Sequence, residues 1–255
     1  VEKTGLVFGL THNYTGYPMV RQAQAMIADG VIGKIRVVQV EYAQDWLSTK
    51  QENEANKQAK WRTDPAKSGL GGCIGDIGTH AYNLARFITG LTVSEIAADL
   101  HTFVEGRQLD DNVHIMLRFD QGARGMLWSS QVSPGNENGL RIRIYGEKGG
   151  LEWAQEDPNY LTYSPLGETP RRITRGSGAS GELATAATRI PAGHPEGYLE
   201  AFAQVYSDIA GLIHNHKEGT SINTLVPSVG DGVDGVRFIT RGVQSSNSGG
   251  NWIPF

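Results

Sequence analysis

Asp76 and His80 stand four residues apart in GGCIGDIGTHAYNLARFITG, Gly71 to Gly90, where a glycine run leads into an apolar helical pattern. Helical residues at this spacing share one face, with Cβ atoms roughly 5 to 6 Å apart. A carboxylate beside an imidazole can move a proton: it orients the ring and favours its charged form, holding a base near neutral pH. The glycines at 71, 72, 75 and 78 would let substrate or another backbone approach closely. On spacing alone a plainer reading leads. Asp is among the preferred helix caps, so Asp76 would cap the helix and His80 would be a satisfied, half-buried histidine.

A metal site needs further ligands. His12, His101, His114, His194, His214 and His216 are scattered without ligand spacing toward the pair, and Cys73 is the single cysteine. Structural zinc calls for Cys or closely spaced His, so no metal is expected. Trp61-Arg62 fits two roles, a clamp on a sugar or flat ring or a loop anchor. His194, just ahead of Pro195-Glu196, is a candidate substrate contact at a helix start. Gly230-Asp231-Gly232-Val233-Asp234-Gly235 matches the dinucleotide fingerprint G-x-G-x-x-G letter for letter. No clear strand precedes it, however, and its two aspartates would repel phosphate, so it reads as a decoy.

These candidates need elements to position them. Leu6 to Leu10 reads as a short apolar strand running into Thr11-His12-Asn13-Tyr14. Pro18 suits the first turn of a helix that carries Val20, Ala23, Met26 and Ile27 and stops at Asp29-Gly30. Lys34 to Tyr42 is a strand whose alternation slips at Val37-Val38, the mark of a bulge or of burial on both faces. Residues 48–60 are a polar loop or short surface helix.

From Val93 to Tyr163 strand follows strand. Val113, Ile115, Leu117 and Phe119 alternate with polar partners, and Asp120-Gln121-Gly122 makes a hairpin turn. Leu140, Ile142 and Ile144 alternate with Arg141, Arg143 and Tyr145. This predicts an α+β fold with an open, mainly antiparallel sheet of at least five strands and helices on one face. The other face carries Arg118, Arg124, Arg141 and Arg143. Such faces are most often solvated, but Trp128 and Tyr145 among the arginines favour an oligomer interface.

Residues 165–189 read as a long loop. Two helices follow, about Pro195 to His216 and Pro227 to Gln244. The first has Leu199, Phe202, Val205, Tyr206, Ile209 and Leu212-Ile213 on one stripe.

Composition removes other classes. The chain has 255 residues, 39% hydrophobic and 20% charged, with a formal net charge of -4. No basic stripe suits nucleic acid. No apolar run approaches the roughly 18 to 20 residues of a membrane span. One cysteine fits a reducing, cytoplasmic setting. The opening VEKTGLVFGL reads as a helix end, a turn and a strand, as expected of a piece of a longer chain.

In this order, Thr-His-Asn-Tyr after a strand, then Trp-Arg-Thr-Asp-Pro, the glycine run with D-x-G-x-H and an antiparallel sheet, the chain resembles the glucose–fructose oxidoreductase / inositol dehydrogenase / MocA family. The resemblance implies a C-terminal domain of the dihydrodipicolinate-reductase-like kind. Residues 1–30 would be a Rossmann-domain remnant with its connecting helix, and 31–255 the substrate-binding and oligomerisation domain. It implies an NAD or NADP cofactor held mainly by a preceding Rossmann domain whose Glu-Lys-Pro motif carries a catalytic lysine; Glu2-Lys3 is followed by Thr4 and is not that motif.

Carried onto matching positions, His80 takes the hydroxyl proton of a sugar, inositol or related polyol, and Asp76 orients it or shares substrate hydroxyls. Trp61 and Arg62 reach toward the cofactor, and Asn13, Tyr14, Trp46 and His194 line the substrate pocket. A homo-oligomer, dimer or tetramer, would form through the open sheet face, and the fragment alone would be inactive. The alternative is a non-catalytic sugar-binding or assembly domain that keeps the fold; a metal-dependent hydrolase or isomerase using the pair ranks behind both.

Overall fold

The computed structural model describes residues 1–52, 55–220 and 225–255. Part of the polar segment 48–60 thus lies outside the described residues. Helix α1 (Pro18–Ala28) has Pro18 in its first turn and ends at Asp29, after which Gly30 takes the left-handed conformation at φ 69°. This is the helix termination that glycine permits. Strand β1 (Ile35–Ala43) follows, and its register against a neighbour shifts between Ile35 and Val37, where the slip was expected. Two short helices, α2 (Lys57–Arg62) and α3 (Pro65–Ser68), precede a π-turn at Ile74–Gly78 and α4 (Thr79–Thr89).

Strands β2 (Val93–His101), β3 (Asn112–Phe119), β4 (Arg124–Ser130), β5 (Gly139–Gly146), β6 (Gly149–Ala154), β7 (Tyr160–Pro165), β8 (Arg171–Thr174) and β9 (Ile253–Pro254) complete one sheet with β1. Its order is β8-β7-β6-β5-β1-β4-β3-β2-β9. The β1–β4 pair is parallel and the others are antiparallel. Because β1 and β4 run parallel and in register, both end at the same edge, at Ala43 and Ser130. Val113, Ile115, Leu117, Leu140, Ile142 and Ile144 point to the buried face, where α1, α4 and α7 (Val229–Asn247) pack. Stacking of Tyr82 on Phe238 at 4.5 Å fixes α4 against α7 within that core.

The opposite face is a lattice of cross-strand ion pairs rather than bare arginine. Arg118 meets Glu95 at 2.9 Å, Arg143 meets Glu41 at 3.2 Å, and Arg141 meets Glu152. Val37, Met116, Met126 and Tyr145 are exposed among them.

Three expectations change. Leu6 to Leu10 forms no strand; the sheet runs elsewhere, and Leu10 N–H bonds Pro227 O at 2.8 Å while Gly9 packs close against Ile209. The segment 165–189 is not a plain loop. It contains β8 and α5 (Glu182–Ala187), and buried Arg175 ties it down through the carbonyls of Ile190 (2.7 Å) and Pro191 (3.2 Å) and an ion pair with Glu196 (2.8 Å).

Finally, α6 (Tyr198–Glu218) buries only part of its apolar stripe: Val205 is buried, whereas Leu199 is 76% and Tyr206 58% exposed. It packs through Val205 and Ala201, and a side chain at Gly16 would strike the Ala201 carbonyl. Small residues allow this close approach and turn the large ones outward. No helix among the described residues is long and apolar enough to cross a membrane.

Candidate active site

The glycine run is shaped by Asp110, just ahead of β3. Its carboxylate accepts the N–H of Gly72 at 2.7 Å and of Ile74 at 2.8 Å, and its carbonyl accepts from Cys73 N at 2.8 Å. A side chain at Gly72 would collide with that carbonyl, so the glycine makes room for a neighbouring backbone rather than for a ligand. Asp110, not Asp76, satisfies the orphan donors here. Burial pushes its carboxyl up to about 6, against the pull of those N–H groups.

Past this anchor the chain makes the π-turn, closed by Thr79 N–H to Ile74 O. π-turns recur at functional sites. Here the turn sends Asp76 away from its expected partner. Asp76 Oδ2 accepts from Arg62 Nε at 2.9 Å and from Gln131 Nε2 at 2.8 Å, and no hydrogen bond joins it to His80.

His80 instead meets His12, Nδ1 to Nδ1, at 3.3 Å, with the edge of Tyr14 against its ring. The expectation that Asp76 would hold the imidazole charged is corrected. Burial lowers the His80 pKa, and the Asp76 charge opposes this only in part. His12 is drawn down to about 4, mainly by burial and next by His80. Both rings are therefore neutral at pH 7, which leaves a base free to accept a proton.

Beside the histidines, the ends of several strands converge at the edge where β1 and β4 finish. Tyr42 near the end of β1 donates to Asn138 Oδ1 at 2.7 Å, Gln44 Nε2 donates to the same oxygen at 2.9 Å, and Asn138 Nδ2 donates to Gln155 Oε1 at 2.7 Å. Tyr14 joins through Tyr42, and Trp46 Nε1 donates to Gln44 Oε1 at 3.0 Å. Since Tyr42 spends its hydrogen on Asn138, Tyr14 donates to Tyr42 and keeps its remaining oxygen lone pair as an acceptor. Burial raises both phenols above their ordinary pKa, so both stay protonated. Asn13 Nδ2 is buried without a partner on the same wall, a donor left for an incoming oxygen.

Together these groups enclose about 770 Å³. Asn13, Tyr14, Trp46, Arg62, Asp76 and His80 all line this one cavity. Arg62 lies 6.0 Å from the Trp46 ring centre and 5.2 Å from that of Trp61. Trp61 itself is half exposed beyond the lining, and His194 lines a separate pocket beside Tyr160 and Arg175. The G-x-G-x-x-G match falls inside α7, where Asp234 pairs with Arg86 at 2.5 Å and Asp231 lies 3.8 Å from it, so it offers no phosphate cradle. No group of three or more metal-binding side chains occurs among the described residues.

Residues 20–152 match the family model for the GFO/IDH/MocA C-terminal domain. The chain belongs to the GFO/IDH/MocA family. Uncharacterized oxidoreductase YfiI of Bacillus subtilis (strain 168) is 36% identical over 259 residues, covering 100% of this chain and 66% of that protein. An oxidoreductase from Sinorhizobium meliloti superposes with a TM-score of 0.85 at 50% identity, over 97% of this chain and 64% of that one. An inositol dehydrogenase homolog complexed with NAD+ from Azotobacter vinelandii gives a TM-score of 0.93 at 34% identity, over 100% of this chain and 66% of that one. An inositol dehydrogenase homolog complexed with NADH and myo-inositol, also from Azotobacter vinelandii, gives a TM-score of 0.85 at 33% identity, over 97% of this chain and 64% of that one. The chain thus spans just under two thirds of the length of these relatives.

Several residues of this GFO/IDH/MocA site escape the sequence reading. His12, Gln44, Asn138, Gln155 and Gln131 are ordinary polar residues beside turns, with no spacing that links them. The one available signal was position: each sits just outside a strand end or beside a residue already singled out.

Proposed function

We propose that this chain is the substrate-binding and oligomerisation part of an NAD(P)-dependent oxidoreductase. It would take hydride from a carbinol carbon of a sugar, inositol or related polyol, with His80 accepting the hydroxyl proton. The observation that carries this is a neutral imidazole on the wall of a cavity lined mainly by amides, phenols and one guanidinium–carboxylate pair, with Trp46, Ile77 and Phe202 adding apolar surface. Such walls match a ligand rich in hydroxyls, each both donor and acceptor. The myo-inositol complex of the Azotobacter homolog supports the same class.

The buried, unpartnered Asn13 amide and the ring-flanked Arg62 suit the reacting end of a nicotinamide, while its phosphates would need a second domain. Held there, a nicotinamide would supply the hydride acceptor. This chain's residues do the remainder. Asp76, braced by Arg62 and Gln131, presents a carboxylate to substrate hydroxyls. The Tyr14–Tyr42–Asn138 wall orients them, and His80 removes the proton.

In this reading, residues 1–30 are the end of the cofactor domain with its connecting helix, and 31–255 form the substrate-binding and oligomerisation domain. The face bearing Met116, Met126 and Tyr145 pairs with a second copy.

The test is reduction of NAD+ or NADP+ by the full-length protein with a panel of inositols and aldoses. His80→Ala should lower the rate by about 10²- to 10⁴-fold, the usual contribution of a general base. An intact rate in His80→Ala overturns the proposed base. Tight polyol binding without any turnover favours the non-catalytic binding domain instead.

A further inference from the structure

His12 and His80 are 68 positions apart, and the fold sets their rings edge to face, with centroids 5.2 Å apart and Nδ1 atoms 3.3 Å apart. At that distance one hydrogen lies between the two nitrogens: two would repel, and none would oppose two lone pairs. A neutral pair carries two ring protons in all. One is shared between the rings, so the other sits on an outer nitrogen, either Nε2 of His12 or Nε2 of His80.

We propose that His12 is a positioning residue that accepts the Nδ1–H of His80, so that His80 keeps a bare Nε2 toward the cavity. This rests on His80 being the base. Only that tautomer can take a substrate proton, because an Nε2–H would already fill the site.

The cavity decides which ring holds the second proton. His80 lines it and His12 does not, so His80 is the ring that meets substrate and its Nε2 must be bare; with Nδ1 of His12 turned to His80, Nε2 of His12 is the nitrogen left to hold the proton. The Asp76 carboxylate, engaged by Arg62 and Gln131, makes no hydrogen bond to His80. His80 makes no other hydrogen bond among the described residues, so an outer N–H on it would face the cavity without an acceptor in the chain. The charged and titratable groups facing the pair are Tyr14, Asp76 with Arg62, and Asp231 with Arg86. None offers a hydrogen-bond partner to Nε2 of His80. When His80 takes a substrate proton, its imidazolium is braced by the bare Nδ1 of His12.

The test combines histidine-ring ¹⁵N spectra of the full-length protein with kinetics of His12→Phe, His12→Asn and His80→Ala. The spectra should show His80 protonated at Nδ1 and bare at Nε2, and His12 the reverse. His12→Phe should lower kcat by about 10- to 100-fold with little change in KM, as when a working imidazole loses its orienting partner. His12→Asn, whose amide oxygen accepts the same hydrogen bond, should restore most of that loss. The inference is overturned if His80 carries its proton on Nε2. It is equally overturned if His12→Asn is as slow as His12→Phe, or if neither is slow. An intact rate in His80→Ala overturns the base itself, whatever the spectra show.

Discussion

Arg62 Nε stands 2.9 Å from Asp76 Oδ2, and this pair, not Asp76 with His80, forms the charged corner of the cavity. The guanidinium also lies over two indole rings, those of Trp46 and Trp61. Both side chains are about a quarter exposed, and a pair in that setting contributes up to about 1 kcal/mol. Arg62→Ala should therefore leave the melting temperature nearly unchanged while reducing turnover. Arg62→Lys should not rescue it, because an ammonium cannot reproduce the planar Nε donation. Thermal melts and steady-state rates on the same preparations check this.

Gly72 and Gly75 separate packing from flexibility in one motif. A Cβ at Gly72 meets the Asp110 backbone, whereas at Gly75 the nearest atom outside its own turn, Ile239 Cδ1, is 3.8 Å away. Gly72→Ala should cost about 1 to 3 kcal/mol in urea unfolding. Gly75→Ala should be neutral or slightly stabilising, since alanine restricts the unfolded chain. Equal losses at the two positions would contradict the close backbone approach.

Asp110 links stability to pH. Its carboxyl is raised from 3.8 to about 6 by burial, so the folded chain holds its proton more tightly than the unfolded one. Its contribution is complete below the unfolded pKa and is lost as pH rises through about 6. The stability of the wild type relative to Asp110→Asn should fall by about 2 kcal/mol between pH 4 and 6. Paired denaturation curves across that range measure it, and a flat difference rejects the buried-acid assignment.

Asn138 joins three side chains at two strand ends, Tyr42 and Gln44 at the end of β1 and Gln155 just past β6. Asn138→Ala frees all of them and leaves Tyr42 and Gln44 without an acceptor, a loss on the order of 1 to 3 kcal/mol. Because the wall orients substrate rather than moving the proton, KM for polyol should rise about tenfold or more, with a smaller fall in kcat. A fall confined to kcat would place Asn138 in the chemical step.

Met116 and Met126 face each other across β3 and β4 on the uncovered side of the sheet. If that face joins two copies, Met126→Asp should give monomers by sedimentation without loss of secondary structure. A wild-type protein already monomeric at working concentration removes the interface.

Legibility followed the range of the physics involved. The hairpins, α1 and its glycine stop, and the bulge near Val37 came from local rules of period, turn and cap, which act within a few residues. So did the rejection of Gly230–Gly235 as a phosphate loop. The α6 stripe misled because periodicity tells which residues share a face, not which face the protein covers. Gly16 and Ala201 decided that through close approach, which only coordinates show. Arg175 was hidden in a polar stretch for the same reason: its partners at 190, 191 and 196 are backbone carbonyls and one carboxylate, invisible to composition.

The sequence by itself determined that the class is α+β and singled out an acid and a histidine four apart, after a glycine run, that line one cavity in the fold. Only the tertiary structure decided who partners whom. The π-turn and the Asp110 anchor turn Asp76 to Arg62 and Gln131, and the chain's return from position 12 places His12 against His80. Hydrogen-bond partners are set by angstrom-scale distances between distant segments, and spacing along the chain carries no record of them.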